Sequence, residues 1–362
     1  MHLYLHIPFC HRICPYCSFY KHTPGGADLG SFVEALISEA RFASRKKLSP
    51  LSTIYFGGGT PSMLSPTHLS RLFQGLREVF NFRKIEEVTL EANPATFTSK
   101  TADFYAELGV TRVSLGIQSF HPTHLKTLGR EHSVDQARQS VAALQEAGSL
   151  EVNIDLIFSI PGQTLADWKA TLKQAIAAKP DHISAYNLTY EEDTTFFEKY
   201  ANGAFVDNPD LNARMFTLGH RLLTAAGYEH YETSNYARPE KRSQHNGGYW
   251  KGNDYLGLGP SAVSTIQRTR WQNVPDTSAY LRQIAAVGHA QHEIEQLDDE
   301  AWRLERLALQ LRTKEGLPLK YLTPESDLSH LKSQGLVEET ATHLRLSGEG
   351  PLLVDSIAAE LA

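Results

Sequence analysis

The feature that most constrains the fold of this 362-residue chain is an alternation of short apolar runs and helical patterns through about residue 190. Six such pairs in succession predict a parallel sheet covered by helices, because each return to a parallel strand needs a crossover. A closed barrel of this kind has eight strands, so we expect an α/β fold with an incomplete (β/α)6 barrel. The predicted strands are His2–Phe9, Thr53–Phe56, Glu87–Asn93, Arg112–Ser119, Val152–Ile160 and His182–Thr189.

Start and stop signals mark the helices between these strands. Ser31 and Glu34 form a predicted capping box, and Pro66 stands at a first helical position. Gly109 and Gly148 follow periodic segments and are predicted to lie just after helix ends, where glycine adopts positive φ without strain. The predicted helices are Ser31–Arg45, Ser65–Phe80, Thr98–Leu108, Ser133–Ala147 and Thr164–Ala178.

Four of the predicted strands alternate between an apolar face and a polar face. In a barrel the apolar faces pack under the helices and the polar faces converge on the lumen. Buried polar groups without partners are costly, so a polar lumen is better explained by a bound ligand than by a core. An open sheet could expose the same faces to solvent, but parallel sheets are covered on both faces. The side chains predicted to line the lumen are Tyr4, Glu91, Gln118 and Asp155.

All three cysteines lie within eight positions, as Cys10-x3-Cys14-x2-Cys17 after the first predicted strand. An odd number of thiols does not form a closed set of disulfides, so the pattern indicates metal binding. Three thiolates can hold three irons of a four-iron cluster and leave the fourth iron open to another ligand. A zinc site would need a fourth ligand, which a nearby histidine could supply, and this alternative stays open. The nearby histidines are His6, His11 and His22.

A glycine-rich turn, residues 56–61, follows the second predicted strand. Its glycines would let the backbone approach a ligand and leave N–H groups available, although a plain turn is the commoner explanation of such a pattern. No Lys-Ser/Thr pair follows, so the turn is not a phosphate loop.

The overall charge and the N-terminus restrict location and partners. The net charge is −6 and no basic block occurs, which disfavours nucleic acid as a partner. No apolar run reaches the length of a membrane span, and the N-terminus lacks the pattern of a signal peptide. Clustered free thiols also fit a reducing compartment. We expect a cytoplasmic protein that reaches membranes only through partners.

Several ordered motifs resemble one known family. The cysteine spacing, with Tyr16 before the last thiol, is similar to that of the radical S-adenosylmethionine (SAM) superfamily, and HIPFC, FGGGTPS, EANP, SLGIQSF, LGREH and DLIFSIPGQT resemble its coproporphyrinogen dehydrogenase-like branch. The resemblance implies a [4Fe–4S] cluster on Cys10, Cys14 and Cys17, with SAM on the open iron. It also implies SAM contacts from Tyr4, Gly58, Gly59, Thr60, Glu91, Gln118, Arg130 and Asp155.

Within that branch the sequence resembles the HemW family of heme chaperones more than the oxygen-independent coproporphyrinogen III dehydrogenases. The dehydrogenases carry a further cysteine where this chain has Phe19, and an extension before a first strand that begins here at residue 2. Residues 245–250 match the HemW pattern His-Asn-x-x-Tyr-Trp, called here the hexapeptide. The resemblance implies heme contacts from His245, Asn246, Tyr249 and Trp250, with His245 as the best axial ligand. Tyr249 and Trp250 could equally be core anchors.

The resemblance therefore implies a chaperone that binds heme as cargo and delivers it to apoproteins, with an electron donor for its cluster. Two alternatives stay open. One is the radical decarboxylation of coproporphyrinogen III, and the other is radical methyl transfer to a tetrapyrrole.

The composition changes near Asp298, where an amphipathic helix, Glu300–Thr313, is predicted. A helix Leu328–Gln334, a hairpin ending with His343–Leu346 and a helix Pro351–Leu361 then resemble a winged helix. Because basic and acidic residues balance there, we expect a docking or lid module rather than a DNA-binding one. The predicted units are a radical SAM partial barrel (1–205), an extension with the hexapeptide (206–295) and a small winged-helix-like domain (296–362).

Overall fold

The computed structural model describes residues 1–46, 48–94, 98–324 and 326–362. Its centre is a parallel sheet of six strands that pair in chain order, as the βα repeats predict. The predicted incomplete barrel is confirmed, and strand bounds differ from the predicted ones by a few residues at the ends. These strands are β1 (His2–Ile7), β2 (Thr53–Gly58), β3 (Glu87–Ala92), β4 (Arg112–Gln118), β5 (Glu151–Phe158) and β6 (His182–Asn187).

Helices cross from each strand to the next, and the predicted start at Ser65 and glycine-marked end at Gly109 are confirmed. The Ser65 hydroxyl caps its helix by accepting the N–H of His68, and Gly109 ends its helix with φ +89°. The helices are α1 (Leu29–Ala43), α2 (Pro66–Val79), α3 (Ser99–Leu108), α4 (Pro122–Thr127), α5 (Val134–Glu146) and α6 (Leu165–Ala177).

The predicted capping box of Ser31 and Glu34 is wrong. Asp28 caps α1 instead, since its Oδ1 accepts the N–H groups of Gly30 at 2.9 Å and Ser31 at 3.2 Å. The hydroxyl of Ser31 donates to the same carboxylate at 2.6 Å. Glu34 faces outward and pairs with Arg71 at 2.6 Å. An acceptor placed earlier in the chain therefore satisfies the first free N–H groups.

The segment after β6 extends the sheet at both edges. The twelve-stranded order is β12-β11-β10-β9-β1-β2-β3-β4-β5-β6-β8-β7, with β9 parallel to β1. The buried core runs through the barrel and this extension as one cluster. The added elements are α7 (Thr195–Ala201), α8 (Pro209–Ala225), β7 (Glu229–Glu232), β8 (Asn235–Ala237), α9 (Gln244–Lys251), β9 (Tyr255–Leu258), β10 (Val263–Ile266), β11 (Thr269–Asn273), α10 (Thr277–Val287) and β12 (Gln291–Gln296).

The C-terminal segment has a separate apolar core and a three-stranded antiparallel sheet of order β13-β15-β14. The predicted helices and hairpin are present, and a two-residue strand that we did not predict completes the sheet. The division at residues 205 and 296 stays a prediction. None of the helices described is long and apolar enough to cross a membrane. The elements are α11 (Asp299–Gln310), β13 (Leu317–Pro318), α12 (Ser329–Ser333), β14 (Val337–Glu339), β15 (His343–Leu346) and α13 (Val354–Glu360).

Candidate cofactor site

A cavity of about 570 Å³, called here the cofactor cavity, opens where the parallel strands end. Its volume is typical of a small-molecule site, and barrel enzymes place their sites at this end of the strands. All the predicted cluster and SAM residues except Tyr4 line it. These are Cys10, Cys14, Cys17, Gly58, Gly59, Thr60, Glu91, Gln118, Arg130 and Asp155.

Tyr4 lies next to this cavity rather than in its lining. Its hydroxyl is 3.0 Å from Nδ1 of His6, and its ring stacks on Tyr55 with centroids 6.1 Å apart. It lines a second cavity of about 400 Å³ beside the hexapeptide, called here the aromatic cavity. The SAM contact of Tyr4 stays a prediction.

The cysteines occupy a loop that leaves the end of β1 and returns to it. The N–H of Cys10 donates to the carbonyl of His22 at 3.0 Å, and the N–H of His22 donates to that of Pro8 at 2.9 Å. Within the loop the N–H of Cys17 donates to the carbonyl of Cys14 at 3.2 Å. The two hydrogen bonds between the ends of the loop hold its cysteines at the cofactor cavity.

Two side chains donate hydrogen bonds to the cysteine sulfurs. The hydroxyl of Thr60 lies 3.6 Å from Sγ of Cys10, and Nη1 of Arg130 lies 3.4 Å from Sγ of Cys14. Burial raises the pKa of the Cys10 and Cys17 thiols. Hydrogen bonds to sulfur and low exposure are features by which proteins adjust iron–sulfur sites.

The donor set fits a four-iron cluster. Across the described part of the chain, no three His, Cys, Asp or Glu side chains are arranged to hold a single ion. Each thiolate of a cluster binds a different iron, so the three cysteines of a cluster do not need to converge on one ion. His6 and His22 use both ring nitrogens in other hydrogen bonds.

Two carboxylates face the cofactor cavity with part of their bonding capacity used. Glu91 accepts the hydroxyl of Tyr55 on Oε1 at 2.7 Å and the N–H of Gly58 on Oε2 at 3.2 Å. Burial raises its pKa to about 7. Asp155 accepts the hydroxyl of Ser114 at 2.8 Å and the side-chain N–H of Asn153 at 2.9 Å, and burial raises its pKa too. Since a carboxylate offers about four acceptor positions, both can also accept hydroxyl or ammonium donors.

The guanidinium of Arg130 lines the cavity, and only part of its N–H groups have hydrogen-bond partners. Its Nη2 donates to the carbonyl of Gly116 at 2.7 Å and also to Asn93. Its Nε is buried without a partner among the residues described. Buried polar groups normally have partners, so this N–H suits a ligand acceptor such as a carboxylate. Gln118 also lines the cofactor cavity, and its backbone has a φ of +66°. Such strained conformations occur often at functional sites.

The expectation that the glycine-rich turn keeps its N–H groups free is wrong for three of its residues. The N–H of Gly58 donates to Glu91. The N–H of Gly59 donates to the carbonyl of Ile7 at 2.8 Å. The N–H of Thr60 donates to the carbonyl of Phe9 at 2.8 Å. A Cβ on Gly59 would lie 2.7 Å from that same carbonyl oxygen. The glycines thus let the turn pack against the end of β1 and hold the cysteine loop.

The hexapeptide forms α9, and three of its four predicted heme residues line the aromatic cavity. His245 is 1% exposed, with Nδ1 2.7 Å from the hydroxyl of Thr53 and Nε2 3.3 Å from that of Tyr249. Burial lowers its pKa to about 3, so the imidazole is neutral. Trp250 is outside the cavity lining, and its Nε1 is buried without a partner among the residues described. The heme contacts stay predictions.

Sequence reasoning missed two residues that organise this region. Tyr55 on β2 lines both cavities. Glu87 at the start of β3 accepts the hydroxyl of Ser243 and the N–H groups of Gln244 and His245, at the N-terminus of α9. The two-residue period, applied to β2 as to its neighbours, could have placed Tyr55 on the inward face.

Comparisons with known proteins agree with this geometry. The profile described as Radical SAM superfamily matches residues 4–175. The heme chaperone HemW of Mycobacterium tuberculosis is 36% identical, covering 99% of this chain and 94% of its own length. HemW of Escherichia coli is 38% identical over 73% of this chain and 70% of its own. The solved structure of coproporphyrinogen III oxidase (HemN) from Escherichia coli, described as a radical SAM enzyme, has a TM-score of 0.86 at 25% identity, covering 99% of this chain and 89% of that one. The chain belongs to the HemW family of the radical SAM superfamily.

Proposed function

We propose that this protein is a heme chaperone that binds heme and delivers it to apoproteins, and that it carries a [4Fe–4S] cluster and SAM. The observation that carries the proposal is the similarity to a HemW protein over 99% of the chain. The adjoining aromatic and cofactor cavities support it, because they offer separate spaces for a cargo and a cofactor.

On the cofactor side, each residue has a role that suits SAM. Cys10, Cys14 and Cys17 would hold three irons and leave the fourth for the amino and carboxylate groups of SAM. When bound, such a cluster supplies one-electron reduction. The unpartnered Nε of Arg130 would pair with the methionine carboxylate. Glu91 and Asp155 would accept hydrogen bonds from the amino group or from the ribose hydroxyls of SAM.

On the cargo side, the aromatic cavity offers flat apolar walls of the kind that a porphyrin requires. Tyr4, Tyr55, Tyr249 and Tyr255 contribute rings to it. Phe19, in the cysteine loop, lines both cavities and is 68% exposed. An exposed aromatic ring at this mouth is suited to contact the face of a bound heme, where the dehydrogenases carry a further cysteine.

A second candidate function is coproporphyrinogen III decarboxylation, which the similarity to the HemN structure favours. The two functions make opposite predictions under one set of conditions. With reductant, SAM and coproporphyrinogen III under anaerobic conditions, we expect no protoporphyrinogen IX beyond a trace. The same protein is expected to bind heme and to pass it to an apoprotein acceptor. Protoporphyrinogen IX formed with multiple turnovers would contradict the chaperone proposal.

The axial ligand of the heme can be tested through the contact between His245 and Tyr249. If His245 binds the iron through Nε2, the Tyr249 hydroxyl competes for that nitrogen at 3.3 Å. We expect Tyr249→Phe to bind heme as tightly as wild type or more tightly, and His245→Ala to lower the affinity at least about tenfold. Absorbance titration measures both, with the exposed His220→Ala as the matched control.

Loss of binding in Tyr249→Phe with retention in His245→Ala would assign the iron to the tyrosine instead. Equal binding by all four proteins would place the ligand outside the hexapeptide.

A further inference from the structure

Tyr55 forms the wall between the two cavities and contacts a functional group on each side. Its hydroxyl donates to Oε1 of Glu91, in the cofactor cavity, at 2.7 Å. Its ring stacks on the imidazole of His245, with centroids 4.9 Å apart and an interplanar angle of 29°. One rigid side chain therefore connects a predicted SAM residue with a predicted heme residue.

The neighbours of Tyr55 leave its ring little freedom. Tyr4 stacks on it with centroids 6.1 Å apart. A Cβ on Gly57 would lie 2.8 Å from the ring, so the glycine makes room for it. Thr53, which shares a face of β2 with Tyr55, holds Nδ1 of His245 at 2.7 Å. These contacts restrict the ring, so a displacement of the Tyr55 hydroxyl moves the ring against the imidazole that stacks on it.

Among the residues that the structure describes, two others line both cavities, Ser18 and Phe19. Both belong to the cysteine loop, whereas Tyr55 stands on a central strand of the sheet. Of these three, Tyr55 has the hydrogen bond to Glu91 and the ring contact with His245. A strand residue is held more precisely than a loop residue, so Tyr55 is the better candidate for transmitting a change.

We propose that Tyr55 is a positioning residue that couples the two cavities, so that SAM bound against Glu91 strengthens heme binding beside α9. This inference rests on the proposed function. A SAM donor on Glu91 would fix the carboxylate and keep it ionised, and a charge-assisted hydrogen bond from Tyr55 is stronger than a neutral one. The ring would then be held against His245. By linkage, heme must strengthen SAM binding by the same factor.

The test compares heme affinity with and without SAM, in cluster-loaded protein under anaerobic conditions. For wild type we expect SAM to lower the heme Kd at least about fivefold, within the usual range of coupling between sites. Tyr55→Phe keeps the ring and removes the hydroxyl, so the ratio of its own heme Kd values without and with SAM should fall to about one, whatever its affinity for heme alone. The matched control is Tyr228→Phe, which removes a buried hydroxyl bonded to the carbonyl of Pro180.

The coupling would be overturned if SAM left the heme Kd of wild type unchanged, or if Tyr55→Phe had the same coupling factor as wild type. Either result would leave the chaperone proposal standing. Absence of heme binding with or without SAM would instead overturn the chaperone proposal. In that case a heme-free measurement decides the coupling, namely hydrogen exchange of the α9 amides. SAM should slow this exchange in wild type and not in Tyr55→Phe. If SAM changed the exchange rate by the same factor in both proteins, the role of Tyr55 would be refuted.

Discussion

Cys14→Ser protein purified without oxygen is expected to contain almost no iron and to lack the visible absorption of an iron–sulfur cluster. Wild type should carry about four irons per chain, the content of a [4Fe–4S] cluster. A serine hydroxyl is far less acidic than a thiol and is a much poorer iron ligand at neutral pH, and two remaining cysteines hold such a cluster poorly. The barrel core lies beneath the loop, so the circular dichroism of the variant should match that of wild type.

His11→Ala is the informative control for this experiment. His11 is exposed on the same loop and could serve as the fourth ligand of a zinc site. If the three cysteines hold a cluster, removal of this histidine leaves the iron content unchanged. Stoichiometric zinc without iron in wild type, lost in His11→Ala, would contradict the cluster and support a Cys3His zinc site.

The strand period was sufficient to find much of the cofactor cavity. Glu91, Gln118 and Asp155 all line it, because alternation fixes the face of a residue without knowledge of the tertiary fold. The same rule placed Tyr4 in the lumen, yet Tyr4 lines the aromatic cavity. The pairing of β1 with β9 places the extension beside this edge of the barrel, and Tyr255 and Val263 line the aromatic cavity together with Tyr4. No local pattern in β1 signals a strand some 250 residues later in the chain.

Backbone hydrogen bonds were harder to predict than side-chain faces. The glycine-rich turn suggested free N–H groups, but those of Gly59 and Thr60 bond to carbonyls at the end of β1. Glycines in a turn indicate that the backbone can approach a neighbouring group closely. They do not indicate whether that group belongs to a ligand or to another part of the chain. The buried charges at the opposite end of the sheet were missed for the same reason, since their partners are distant in sequence.

Arg112 is the centre of that buried charge network. It is 3% exposed and donates through Nε to Glu87 at 3.3 Å and through Nη2 to Glu151 at 2.6 Å. Its Nη2 also lies 3.1 Å from the carbonyl of Lys241. Glu87 in turn accepts the N–H of His245 at 3.1 Å. The arginine thus neutralises the carboxylate that fixes the start of α9, and with it the hexapeptide.

Arg112→Met is therefore expected to lower the free energy of unfolding by about 3–5 kcal/mol, because it leaves Glu87 buried without its cationic partner. Chemical denaturation measures this loss. The control, Arg138→Met, removes an exposed pair with Asp135 at 2.9 Å, and should cost less than about 1 kcal/mol. Adding Glu87→Gln to Arg112→Met should restore part of the stability, since no uncompensated charge then remains.

The same variant separates stability from positioning. Because Glu87 would lose its fixed orientation, the α9 amides should exchange hydrogen faster in Arg112→Met than in the control variant, under conditions where both remain folded. The heme affinity of Arg112→Met should also be lower than that of the control variant if the hexapeptide binds heme. A loss below about 1 kcal/mol would mean that desolvation of the three charges cancels their attraction. Exchange at α9 equal to that of the control would show that the helix is held in place by its packing and not by this network.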